Sequence, residues 1–196
     1  YAKSSGTSAD KSKYIPITPD SLKINHYGGF TRMLSWYVAQ NPKSHIFKGK
    51  ALTVGGSVQP DEMGSGGTMY GDLSAVLLMN SPFLAEIFRA PEKDIALMSN
   101  FSEKVEMICR ECSSQNITNF SGVPSWNLIL LQRVLEYTGK SNIREVWPSM
   151  ELFMHGGIGF EPYRETFNKI IPGDGMHYLE NYNASEGYFA FQDDLD

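Results

Sequence analysis

The chain lacks most of the features that assign a class at a glance. It has no basic block: 17 Lys and Arg stand against 22 Asp and Glu, for a formal net charge of −5. That balance argues against a general nucleic-acid binder and against attraction to anionic membranes. No apolar run approaches the ~20 residues of a membrane-spanning helix. The polar opening shows no signal peptide, so a cytoplasmic protein is expected. Cysteine is scarce, with only Cys109 and Cys112. Their Cys-x-x-Cys spacing invites a redox or zinc reading, yet no second pair exists. His26, His45, His155 and His177 are scattered without ligand spacing. The surrounding 103–112 stretch reads as a helix, where thiols three apart share a face and pack as small hydrophobes. There is no Walker A sequence and no Gly-x-Ser-x-Gly pentapeptide. His155-Gly156-Gly157, similar to an esterase oxyanion turn, therefore has no nucleophile elbow to serve. No internal repeat is visible.

What is present is an ordinary globular composition, 41% hydrophobic and 12% aromatic over 196 residues. That suffices for one domain, or for a large piece of a bigger one. Strand and helix patterns alternate, which predicts an α/β sheet with crossover helices. A short β run at 13–17 follows the opening. Thr18-Pro19-Asp20-Ser21 then reads as a helix start, and the helix runs to about Gln40, where Asn41-Pro42 ends it. Gly28-Gly29 in its middle predict a close backbone contact or a break. Residues 50–56 read as a buried strand and 55–71 as a long glycine-rich loop. Asp72 is placed to cap a helix at 73–79. Further helices are expected over 82–89 and from about 91 towards 113. A strand is expected at 117–121, and from Pro124 a strong helix with little polar surface, hence largely buried, stopped by Gly139. A helical turn at 143–146, a strand at 151–155, a helix at 162–170 and strands at 177–182 and 187–191 complete the reading. Asn100-Phe101-Ser102 matches a glycosylation sequon, for which chance is the better explanation without a secretory signal.

Two stretches carry chemistry. In Ser4-Ser5-Gly6-Thr7-Ser8-Ala9-Asp10-Lys11-Ser12-Lys13 the four short hydroxyls of Ser4, Ser5, Thr7 and Ser8 join a glycine and lysines. Gly6 lets successive N–H groups turn inward to form an anion-binding nest. The same composition also describes a linker. At the other end, Tyr182-Asn183-Ala184-Ser185-Glu186 closes a strand with an aromatic, small residues and an acid. An aromatic face packs on a purine, and a hydroxyl and carboxylate suit Mg²⁺; a plain strand-end turn is the alternative. Ligands of such sheets collect at the carboxyl ends of strands. The first loop, Gly156-Gly157 and 183–186 all fit that edge.

Ser4-Ser5-Gly6-Thr7-Ser8, then Trp147-Pro148-Ser149 leading to Gly156-Gly157, then Tyr182-Asn183-Ala184-Ser185-Glu186, occur in the order seen in adenylate-forming enzymes. The chain resembles the auxin-responsive Gretchen-Hagen family of acyl-acid amido synthetases, in its bacterial branch. That resemblance implies part of the large N-terminal domain, with a preceding segment and a C-terminal domain outside the chain, so that this piece alone would not turn over. It implies that ATP and a carboxylic acid give an acyl-adenylate and pyrophosphate, and that an amine or amino acid then displaces AMP. It assigns Ser4, Ser5, Gly6, Thr7 and Ser8 to the triphosphate, and Tyr182 and Ser185 to the adenine-side motif. Glu186 is assigned to Mg²⁺, and Gly156 and Gly157 to a turn near the nucleotide. Asp10 departs from the family pattern after the first motif. A non-catalytic nucleotide-binding or interaction module of the same fold is the alternative reading.

Overall fold

The computed structural model describes residues 1–4, 13–60 and 69–195. In chain order they form β1 (Ala2–Ser4), β2 (Lys13–Ile15), a π-helical turn (Ser21–His26) running into α1 (Tyr27–Gln40), and a short 3-10 turn (Ile46–Lys48). Next come β3 (Lys50–Thr53), β4 (Val58–Pro60), β5 (Met69–Gly71), α2 (Leu73–Met79), α3 (Phe83–Phe88), β6 (Arg89–Ala90), α4 (Lys93–Ala96) and α5 (Phe101–Cys112). The chain continues through β7 (Ile117–Gly122), α6 (Pro124–Thr138), α7 (Ile143–Val146), β8 (Leu152–His155), α8 (Glu161–Ile170), β9 (His177–Ala184) and β10 (Gly187–Phe191).

The main sheet has the order β10-β9-β8-β7-β3-β6. The strands from β9 to β6 are parallel, and β10 returns antiparallel on β9. Every residue of β8 is buried, and its successive side chains enter two different core layers. Phe153 faces one side with Phe120, Leu130, Ile108 and Phe167, under α5, α6 and α8. Leu152 and Met154 face the other, against Met33 and Tyr37 of α1. The mixed α/β architecture with crossover helices is therefore present. Cys109 and Cys112 are free, buried members of the first layer. Burial pushes their thiols up to about 11 and about 12. Trp147, also in that layer, donates its indole N–H to Cys112 O at 3.0 Å.

A smaller sheet, β2-β1-β5-β4, continues from the carboxyl end of β3 through residues 54–57. The expected long loop at 55–71 is thus organised by β4 and β5, which pair antiparallel, while residues 61–68 lie outside the described set. The expected helix from 91 to 113 is two helices. Asn100 accepts from Glu103 N at 3.2 Å and starts α5 afresh. Asp72 stands at the N-cap of α2, but its carboxylate accepts from Ser57 N at 3.2 Å rather than capping the helix. Finally, α6 is not buried all round: Trp126 is 52% and Ile129 47% exposed.

Candidate functional site

The carboxyl edge of the main sheet is set by register. Thr53 pairs with Ser121, Gly122 with His155, and His155 with Glu180. β9 does not stop there: it runs four residues past Glu180 and turns through Ser185-Glu186 into β10. The tip of this hairpin overhangs the edge and carries three of the residues singled out by sequence. Tyr182 is 62% exposed and packs its ring 5.0 Å from that of Phe189. A bulge between Tyr188 and Ala190 frees Phe189 to face outward with Tyr182 while Tyr188 turns into the core. Ser185 is half-buried, and the Glu186 carboxylate is exposed with no partner among the described residues.

Gly156 and Gly157 follow β8 directly, beside the hairpin. A Cβ at Gly156 would strike the carbonyl oxygen of Asn181, and the Asn181 side chain donates to His155 O at 3.0 Å. The sheet itself therefore requires glycine at 156. Gly157 has φ +84°, the left-handed region that glycine occupies freely. Just before them, His155 is 2% exposed and neither ring nitrogen has a partner. It stacks on Phe160 at 4.2 Å, and burial, aided by the Arg164 charge, brings its pKa down from 6.5 to about 4. It is a neutral ring in an aromatic cluster, which removes it from any esterase role.

Ser4 ends β1, paired with Lys13 of β2. Ser5, Gly6, Thr7 and Ser8 lie outside the described residues. No hydrogen bond joins Ser4 to the hairpin among the described residues, but a series of contacts leads from one to the other. Asn25 Oδ1 accepts from Tyr188 N at 2.5 Å, and His26 Nδ1 lies 2.8 Å from Asn183 Oδ1. The next residue, Tyr27, donates its hydroxyl to Leu77 O of α2 at 2.7 Å, and α2 packs on β1. Asn25 and His26 were not singled out by sequence. Their signal was two polar residues just before Gly28-Gly29, on the face where the helix comes closest to the sheet.

Lys104 was also missed. It lies on the apolar stripe of α5, one turn before Ile108, and is 3% exposed. Its ammonium donates to Gly55 O at 2.5 Å and to Gly56 O at 3.5 Å. Burial lowers its pKa, an effect that the Asp72 charge opposes. Gly56 N donates to Ser74 Oγ at 2.9 Å, so the 54–57 crossing between the two sheets is held from both sides.

Among the described residues no group of three or more His, Cys, Asp or Glu is placed to hold a metal. Glu186 offers one hard oxygen ligand. That suits a Mg²⁺ whose remaining ligands are phosphate oxygens and waters, not a cage built by protein alone. No helix among the described residues is long and apolar enough to cross a membrane.

A mostly parallel sheet whose last strands overhang its carboxyl edge, with a small second sheet rooted at that edge, is the mixed α/β fold of the N-terminal domain that the comparisons match. The chain belongs to the GH3 family: residues 1–176 match the GH3 family N-terminal domain, the family that the ordered motifs resembled. Among solved structures it is similar to a GH3.15 acyl acid amido synthetase, with a TM-score of 0.66 at 11% sequence identity. That likeness covers 95% of this chain and 41% of the synthetase, so the chain spans well under half of the protein it matches. No curated protein matches it.

Proposed function

We propose that the whole protein is an ATP-dependent acyl-acid amido synthetase. The carboxylate of the acid displaces pyrophosphate from the α-phosphate of ATP. An amine or amino acid then attacks the activated carbonyl, loses a proton and releases AMP. Membership of the GH3 family supports this reading, and the observation that carries it is the β9–β10 hairpin. The hairpin sets an exposed aromatic pair and an unpartnered carboxylate beyond the carboxyl edge, beside Gly156-Gly157, where ligands of parallel sheets collect.

In this reading Tyr182 and Ser185 face the adenine side, and Glu186 holds the Mg²⁺ that neutralises phosphate charge. The stretch from Ser4 to Ser8 cradles the triphosphate. Side chains here perform little covalent work. Catalysis rests on aligning carboxylate with phosphate, an effect worth ~7–11 kcal/mol in favourable cases, and on fixed donors at the developing charge. The chain serves as a central part of the adenylation domain, and turnover belongs to the full-length protein.

Acid-dependent exchange of pyrophosphate into ATP by the full-length protein tests the proposal. Glu186→Ala is expected to lower Mg²⁺-dependent exchange by roughly 10²–10³-fold with an unchanged melting curve. Equal loss of exchange and of folding makes Glu186 structural. Nucleotide binding with no exchange for any acid replaces the synthetase with the non-catalytic module.

A further inference from the structure

α1 runs against the strands. Its far end is fixed at the start of β8, where Asn41, just past the helix, bonds to Glu151 at 3.2 Å. Its near end lies at the carboxyl edge, where the π-helical turn 21–26 leads into Tyr27. One flank of α1 packs on the sheet through Met33 and Tyr37. The other roofs a slot, a cavity of about 580 Å³ with Tyr27, Phe30 and Leu34 above and residues of β3 and β7 below. On that flank packing does not seat the helix.

The tip of the β9–β10 hairpin is equally short of support. Glu180 is the last residue of β9 that pairs with β8, and past it the Asn181 side chain still reaches His155 O. From there the hairpin continues as two strands to a two-residue turn, Ser185-Glu186, closed by the pair Ala184 and Gly187. Two strands by themselves are marginally stable at best in water. Tyr188 sinks its ring beside Gly29, which ties β10 to α1. Asn25 and His26 tie down both strands. Asn183 and Tyr188 face each other across the hairpin, one pair before the closing pair. Asn25 Oδ1 accepts from Tyr188 N at 2.5 Å. His26 Nδ1 donates at 2.8 Å to Asn183 Oδ1, an oxygen that can only accept. Two consecutive residues therefore hold the two members of one cross-strand pair. His26 is 1% exposed and its Nε2 has no partner, so this bond is the ring's one polar contact among the described residues. The turn that presents both residues is π-helical, a winding that is rare and recurs at functional sites.

We infer that Asn25 and His26 are positioning residues: by gripping Tyr188 and Asn183 they fix the turn that carries Glu186, and with it the place of the carboxylate. The inference rests on the synthetase reading for what Glu186 binds, but not for the clamp itself. Mg²⁺ demands near-ideal octahedral geometry at about 2.1 Å. A single protein carboxylate that completes such a shell must stand in register with the phosphate oxygens. A turn free to swing holds that register for a fraction of the time, and the loss falls on metal binding. Excess Mg²⁺ restores it by mass action, which it would not do for a damaged fold.

Two measurements on the full-length protein test it. Hydrogen–deuterium exchange read by mass spectrometry reports the clamp without nucleotide, comparing 181–189 with β7 and β8. Asn25→Leu and His26→Leu each remove one bond. Asn25→Asp keeps the acceptor, and His26→Asn sets an amide donor close to where Nδ1 stood. The leucine variants are expected to exchange about tenfold faster over 181–189 with β7 and β8 unchanged, and the other two to stay within about twofold of the wild type. Pyrophosphate exchange across a range of Mg²⁺ concentrations reads the consequence. In the leucine variants half-saturating Mg²⁺ is expected to rise about tenfold while the rate at saturating Mg²⁺ holds. Unchanged hairpin protection in both leucine variants, protection lost evenly across the sheet, substitutes as loose as leucine, or a rate defect that Mg²⁺ does not repair overturns the inference. Faster hairpin exchange in the leucine variants, with no pyrophosphate exchange by the wild type for any acid, leaves the clamp standing and removes the synthetase reading instead.

Discussion

Gly29 in α1 lies directly against the ring of Tyr188 in β10, so closely that a Cβ at 29 would overlap the ring carbons. The contact seats the helix on the hairpin and explains a glycine that helix propensity alone disfavours. Gly29→Ala would gain about 1 kcal/mol on a free helix. Here it is expected to destabilise by about 1–3 kcal/mol through overpacking. Urea denaturation gives the sign, and combining it with Tyr188→Leu, which removes the opposing ring, is expected to restore most of the loss.

The break before α5 depends on the Asn100 cap. Asn100→Ala is expected to cost about 1 kcal/mol, and Asn100→Asp, which keeps the acceptor, close to nothing. Denaturation midpoints at constant slope measure both. A null effect for the alanine variant would mean that the two helices are separated by packing alone.

Stability is expected to fall in mild acid because of His155. Its folded pKa of about 4 lies below its ordinary 6.5, so between those values the unfolded chain binds more protons. The contribution is complete above about pH 6.5, declines as pH falls and is gone below about 4, amounting to roughly 3 kcal/mol. His155→Phe keeps a flat ring against Phe160 and is expected to flatten the profile across that window. Chemical denaturation at pH 7 and pH 5 for both proteins decides this.

Lys104→Met keeps the aliphatic stem but leaves the Gly55 carbonyl without its donor. A loss of about 1–3 kcal/mol is expected. Cleavage by a protease at 54–57 is expected to quicken as the crossing between the sheets loosens. Limited proteolysis followed by mass spectrometry locates the cut, and cleavage elsewhere would remove Lys104 from its anchoring role.

Strand and helix order was legible in the sequence because each element carries its own period. α7, β10 and the αL stop at Gly139 were read at their observed bounds, Gly139 having φ +66°. Gly28-Gly29 announced a close contact but not its partner, since Tyr188 is distant in sequence. The reading failed where a local signal was weighed against the wrong competitor. Asn100 was treated only as a sequon, so its cap went unread and two helices became one. The glycines from 55 to 71 masked short strands whose pairing is set by partners elsewhere in the chain. The apolar run of α6 gave no sign that Trp126 would lie on the surface, edge-on to Phe101 at 4.7 Å. Of the site, the hairpin residues were legible as a motif. The cavity was not, because its walls come from elements spread between Tyr27 and Met154.

The far end of α1 is pinned: Tyr37, Asn41 and the His45 backbone N–H all donate to the buried Glu151 carboxylate, at 2.7, 3.2 and 2.9 Å. The near end hangs on the hairpin through Asn25 and His26. The helix is thus a lever about 21 Å long with its fulcrum at Glu151. A displacement of the Glu186 turn would pass almost whole to Tyr27 and fade to nothing by Tyr37, narrowing or widening one mouth of the slot and leaving the other fixed.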